Sequence, residues 1–296
     1  SINKILGSLK TDEERIFLLS VIGFSTQDDP TISKLGGYNK VLSSDLCQQK
    51  IEEMATLYPS YARFFTNLRD GLDSFYEQDG HLVKASTLPK LERITKCPLV
   101  FMARFDVSLF SKLGLVAIVG SRKADHQALK RTFDLAKSLA EQGVVVVSGG
   151  AMGTDASAHE GALKGGGATI VVSGTVCSFK TYEMHARLKY LGEQNLAILY
   201  PYGPYIPQAN YMFVERNRFV AASSDHVVIV QGERGSGTLH TARFAKSLGV
   251  PLHAFPGDAA CSLSYAPNYV ITTKAAQPLF DDDEFVRMVS KRSNWA

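Results

Sequence analysis

The sequence predicts an α/β fold: a Rossmann-like, doubly wound, mostly parallel sheet preceded by a small helical domain. Three observations carry this. From about residue 115, short apolar runs rich in β-branched residues alternate with amphipathic stretches. Those runs are continuously apolar, as strands covered on both faces must be. Glycine and hydroxyl residues follow nearly every run, and in open α/β sheets ligands bind outside the carboxyl ends of the strands, where strand order reverses.

The chain has 296 residues, enough for one large α/β domain and a smaller one, with the boundary expected at 82/83. A formal charge of +3 permits nucleic acid binding without demanding it, so any phosphate-binding surface must be local. Cys47, Cys97, Cys177 and Cys261 are scattered singly. That pattern suggests neither a disulfide framework nor a thiolate metal site. No basic-then-apolar leader and no membrane-length apolar run is present, so a soluble cytoplasmic protein is expected.

Residues 1–82 read as helices. Thr11 and Glu14 form a capping-box pattern at the head of "TDEERIFLLSVIGF", and Gly23 is a plausible terminator. "SDLCQQKIEEMATLY", stopped by Pro59, and "SYARFFTNLRDGLDSFYEQ" supply a second and a third helix. "DGHLVKASTLPK" reads as the connection onward. The strand candidates are "LVAIVG", "VVVVSG", "ATIVVSG", "LAILYP", "HVVIVQG" and "PLHAFPG", with "ADHQALKRTFDLAKSLAEQG" and "GTLHTARFAKSLG" among the helices between them.

The loops after the strands carry the chemistry. In "SGGAMGTD", Gly149, Gly150, Ala151 and Gly153 let backbone approach an anion closely, and the first amides of the following helix have no internal partners. Ser148 and Thr154 add hydroxyls. Asp155 suits the N-cap of that helix, and His159 follows one turn later, either as a structural hydrogen-bonding residue or as a contact. "VGSRK" puts Gly120, Ser121, Arg122 and Lys123 after another strand, and "QGERGSGTLHTA" offers Ser236, Gly237, Thr238 and Thr241. Neither loop has the spacing of a nucleoside-triphosphate or dinucleotide loop, and no cofactor or metal is expected.

In "YMFVERNRFVAASSDHVVIVQG", Arg216 and Arg218 flank Asn217, with Phe213 one turn ahead. Arginine forks onto phosphate oxygens, and an exposed aromatic offers a stacking surface for a base. The alternative is an arginine pair that salt-bridges Glu215 or Asp225. Both readings are kept: Arg218 structural, Arg216 nearer the ligand. No catalytic constellation is evident.

"VAIVGSR", "VVVVSGGAMGTDASAHEGAL", "GATIVV", "FVERNRFVAASSDHVVIVQGERGSGTLHTARFA" and "FPGD", in this order, resemble the DNA-processing protein DprA (Smf) family over about residues 95–285. "SYAPNYVITTKAA" resembles a later family stretch through Ser264 and Asn268. The resemblance implies a Rossmann-like domain that binds single-stranded DNA, dimerises and hands the strand to the RecA recombinase during natural transformation, without turnover. It carries phosphate binding over to Gly120, Ser121, Arg122, Ser148, Gly149, Gly150, Gly153 and Arg216, and places Phe213 near the bases. Ala266 and Lys274 stand where the family has glycine. The N-terminal helices resemble the family's sterile-alpha-motif-like domain only weakly, and after "QPLFDDDEF" only one helix, not a winged helix, is expected. Two other classes compete. A nucleotide sensor would show the same phosphate chemistry. A nucleotide phosphoribohydrolase would need a carboxylate where this chain has His240 and Thr241, although Glu233 lies nearby.

Overall fold

The structure is a computed structural model that describes residues 2–112, 114–174, 179–202 and 210–293. By contacts the chain divides into two compact units. The first is built on residues 2–104. It holds α1 (Ile2–Ser8), α2 (Asp12–Val21), α3 (Asp29–Lys34), α4 (Tyr38–Leu42), α5 (Asp45–Leu57), α6 (Pro59–Thr66) and α7 (Leu68–Glu77), then β1 (Gly80–Lys84) and β2 (Val100–Phe105).

Several expectations are met locally and others are corrected. Thr11 Oγ1 accepts the Glu14 amide as N-cap of α2, but Glu14 reaches past Thr11 to the Lys10 amide at 2.5 Å. Its carboxylate also takes Arg69 at 2.9 Å and the Tyr76 hydroxyl at 3.1 Å. The capping pattern thus anchors α2 to α7. The third expected helix is two, because Asn67 leaves helical geometry between α6 and α7. "DGHLVKASTLPK" is not only a connection: Gly80–Lys84 pairs antiparallel with β2, which groups residues 83–104 with the helices before them.

The second unit holds β3 (Leu115–Val119), α8 (His126–Glu141), β4 (Val145–Ser148), α9 (Thr154–Lys164), β5 (Thr169–Val172), α10 (Phe179–Gly192), β6 (Leu196–Tyr200) and α11 (Asn210–Ser223). It continues with β7 (His226–Ile229), α12 (Gly237–Ser247), β8 (Leu252–Ala254), α13 (Tyr265–Thr272), β9 (Gln277–Pro278) and α14 (Asp282–Ser293). All six expected strands form, and the short β9 joins them. The order is β6-β5-β4-β3-β7-β8-β9, and every neighbouring pair is parallel.

Burial explains the apolar runs. Val116, Ile118, Val146 and Val228 pack with Leu135, Leu139, Ala158, Ala162 and Phe285 from α8, α9 and α14. Alternate strand residues point to the opposite face. There α11 packs against β3, β4 and β5, and α12 against β7 and β8. The chain winds from β3 outward to β6, then returns to lay β7 on the other side of β3. The β3/β7 junction is therefore the point where strand order reverses. Among the described residues no helix is long and apolar enough to cross a membrane.

Candidate nucleic-acid interface

At the carboxyl ends of β3, β4 and β7 lies a cleft of about 290 Å³. It is lined by Gly120, Ser121, Arg122 and Lys123 after β3, and by Gly149, Ala151 and Asp155 after β4. Phe213, Val214, Arg216 and Asn217 of α11 and Glu233, Ser236, Gly237, Thr238 and Thr241 around the start of α12 complete it.

Close approach sets the glycines. A Cβ on Gly153 would lie 2.6 Å from the Arg122 carbonyl oxygen, and Gly153 has φ +78°, so glycine alone fits this N-cap of α9. A Cβ on Gly149 would run into the Arg216 guanidinium. The β3 loop is fixed from the other side, since Ser121 O accepts both the amide and the hydroxyl of Thr154, at 3.2 and 3.1 Å.

The loop amides are less free than the sequence suggests. Ala151 N donates to Asp155 Oδ2 at 3.1 Å, Ala156 N to Ala151 O, and Ser157 N to Gly153 O. Asp155 is therefore not the N-cap. Gly153 holds that position, and Asp155, nearly buried, folds back onto the glycine turn. Burial pushes its carboxyl pKa up, and the Arg216 charge and the Ala151 and Gly149 amides pull it down less strongly.

Arg216 is 5% exposed and braces the sheet. Its Nη1 donates to the carbonyls of Gly149 and Val172, and its Nε to Asn217 Oδ1 at 3.1 Å. Asn217 passes the connection to Gly237 O at 3.2 Å, tying β4 and β5 through α11 to α12. Arg218 points elsewhere: it pairs with Glu215 at 3.3 Å and lies over Phe219.

Exposed groups define what the cleft can hold. Arg122 and Lys123 are exposed, and the Arg122 guanidinium carbon lies 5.7 Å from the centroid of the half-buried Phe213 ring. Ser236 stands at the N-cap position of α12 without a side-chain capping bond, and its buried Oγ has no hydrogen-bond partner among the described residues. The Thr238 and Thr241 side chains are buried in the wall. Cationic side chains beside an aromatic face on a strand-end rim suit a phosphodiester with its base attached.

Six of the expected site residues lie off the cleft wall: Ser148, Gly150, Gly153, Thr154, Arg218 and His159. Ser148 is buried and spends its hydroxyl on Ile118 O at 2.6 Å. His159 is fully buried, with Nδ1 2.7 Å from the Thr169 hydroxyl, and so is no ligand contact. Val119 and Val214, two wall residues, carried no signal in the sequence, because apolar residues beside polar loops look like ordinary core. Cys177 and part of the loops after β5 and β6 lie outside the described residues. Among the described residues no cluster could hold a metal ion.

A family profile for DNA recombination-mediator protein A matches residues 83–290. The chain belongs to this family. Among the recombination-mediator relatives, it is 34% identical over 173 residues to a putative DNA processing protein DprA of Mycobacterium tuberculosis, covering 58% of this chain and 44% of that one. It is 33% identical over 182 residues to DNA processing protein DprA of Streptococcus pneumoniae, covering 61% and 64%. The chain thus spans about half to two thirds of the length of these relatives.

Two solved structures are similar. One, of DNA processing protein A from Helicobacter pylori, describes that protein's single-stranded DNA binding mode. It superposes with a TM-score of 0.64 at 28% identity, covering 72% of this chain and 96% of that one. The Streptococcus pneumoniae DprA structure superposes at 0.72 with 24% identity, covering 95% and 99%, a likeness of fold.

At the two positions where the resemblance leads one to expect glycine, the backbone differs. Lys274 adopts φ +55°, the left-handed region that glycine enters freely. Ala266 is fully buried, and its amide donates to Gly232 O at 2.8 Å.

Proposed function

We propose that this chain is a sequence-tolerant single-stranded DNA-binding protein that acts as a recombination mediator. In this reading it is a cytoplasmic homodimer that protects incoming strands and loads the RecA recombinase during natural transformation, with no turnover of its own. One observation carries the reading: Arg122 is exposed over Phe213 at the strand-order reversal, so phosphate and base could be held side by side. Family membership and the likeness to the Helicobacter pylori protein support it.

Arg122 and Lys123 would contact phosphates, and Phe213 would offer its face to a base, a stack worth about 1–3 kcal/mol. Arg216 acts from below, fixing the Gly149 turn that shapes the wall. Fluorescence anisotropy with labelled oligothymidylate of increasing length and a matched duplex tests this. Single strand should bind better than duplex, and affinity should grow with length and fall with salt as counterions are released. Equal binding of both forms, or saturation by a mononucleotide, would defeat it. RecA loading is tested separately, by whether the protein shortens the lag of RecA assembly on a strand precoated with single-strand-binding protein.

Glu233 on the cleft wall keeps a second reading in view. A nucleotide phosphoribohydrolase needs a carboxylate near the sugar, and Glu233 is an exposed one. Incubation with nucleoside monophosphates and chromatography for released base decides this, and turnover lost in Glu233→Gln would establish it.

A further inference from the structure

A phosphate-binding cleft gains nothing on phosphate from an exposed carboxylate, yet Glu233 is exposed on the wall that also bears Arg122, Lys123 and Phe213. Among the described residues the Glu233 side chain makes no ion pair and no hydrogen bond. Its position is fixed. Gly232 exchanges backbone hydrogen bonds with Leu263 and Ala266, at 2.6 and 2.8 Å, and Ser236 N donates to Glu233 O at 3.1 Å. Gly235, at φ +76°, closes the turn. The backbone therefore holds Glu233 beside the start of α12.

An ionised carboxylate is an acceptor only. Among the described wall residues Arg122 and Lys123 are the exposed cations, so a strand bound there would leave Glu233 to meet bases or repel phosphates. Base edges differ in what they offer. Cytosine and adenine carry an exocyclic amino donor where thymine carries a carbonyl oxygen. Acceptor facing donor binds, and acceptor facing acceptor repels.

We propose that Glu233 is a specificity-determining residue that makes this cleft favour strands of amino-bearing bases, cytosine before thymine. The inference rests on the single-strand reading above and deepens it, because it says which bases the sequence-tolerant site holds best. Phosphate binding by Arg122 and Lys123 stays common to all sequences.

The test is anisotropy of the full chain with twelve-nucleotide oligodeoxycytidine and oligothymidylate, at one salt concentration and a mildly alkaline pH that keeps cytosine unprotonated. The wild type should bind the cytosine strand about five- to tenfold more tightly. In Glu233→Gln, whose amide can donate as well as accept, the ratio should fall to about one. In Glu233→Ala, thymidylate affinity should rise. Equal wild-type affinities, or a preference that survives in Glu233→Gln, would overturn the specificity role and leave single-strand binding intact. Wild-type protein that binds neither strand would remove the underlying reading as well.

Discussion

The Arg122 guanidinium carbon sits 5.7 Å from the Phe213 ring centroid, which couples the loop after β3 to the first half of α11. Arg122→Ala removes a cation and uncovers the ring. Single-strand affinity should fall by a similar factor for every sequence. The slope of log affinity against log salt should lose about 0.7 if one phosphate contact disappears. Titration of the variant over a series of salt concentrations measures both, and an unchanged slope would place Arg122 off the phosphate path.

Arg216→Ala should behave differently, as a folding lesion first. The buried guanidinium serves the Gly149 and Val172 carbonyls and interacts electrostatically with the Asp155 carboxyl. Leaving those groups uncompensated should cost about 3 kcal/mol in urea denaturation. A variant as stable as the wild type that has merely lost DNA binding would show that this residue touches ligand rather than bracing the sheet.

Gly153→Ala combines left-handed backbone with a Cβ 2.6 Å from Arg122 O. The loop carrying Arg122 must move, so both stability and single-strand binding should drop, stability by about 1–3 kcal/mol. Gly143→Ala is the control. It is also left-handed, at φ +76°, but a Cβ there meets nothing within 4 Å, and it should lose stability alone.

The β3 loop has a second tether. Asp125 N donates to Gln231 Oε1 at 3.0 Å, and Gln231 Nε2 returns a bond to Asp125 Oδ2 at 2.6 Å. Gln231→Glu sets two carboxylates against each other and should weaken single-strand binding. Adding Asp125→Asn restores a donor facing an acceptor, and the double variant should recover. Without recovery, the bracket does not position the loop.

Acid should destabilise the second unit. Burial pulls the His159 pKa down to about 3, helped by the charges of His185 and Arg216, and burial with His226 nearby pulls His253 down to about 4. An unfolded histidine takes its proton near pH 6.5, and the folded ones refuse it until far lower. Stability should therefore be full above about pH 7 and decline as pH falls from 6.5 toward 4. The loss should reach several kcal/mol, since each tenfold difference in proton affinity between the folded and unfolded chain is worth roughly 1.4 kcal/mol. The raised Asp155 carboxyl works in the opposite sense, holding its proton when the unfolded chain would release it. Urea midpoints between pH 7 and 4.5 measure the balance, and a flat profile would contradict it.

Much of the second unit could be read from the sequence because its signals are local. "LVAIVG" and "HVVIVQG" announce strands buried on both faces, and the glycines after them mark the rim. β1 escaped because Leu82 and Val83 are a short apolar pair between His81 and Lys84, and its antiparallel partner is β2 rather than a strand of the parallel series. Within the site, Phe213 and Arg122 were legible as residue types suited to nucleic acid. The role of Arg216 was not, since what buries it are carbonyls 67 and 44 positions away. His159 was ambiguous for the same reason: only the fold shows that Thr169 receives it.

The carboxylate of Asp155, turned back onto the Ala151 amide, has a consequence for how a strand would arrive. The protein supplies its own hydrogen-bond acceptor to the glycine turn, so folding alone shapes the turn. A strand bound as proposed would dock on a finished mould, and its capture should be governed by the speed of electrostatic encounter rather than by a slow rearrangement of the rim.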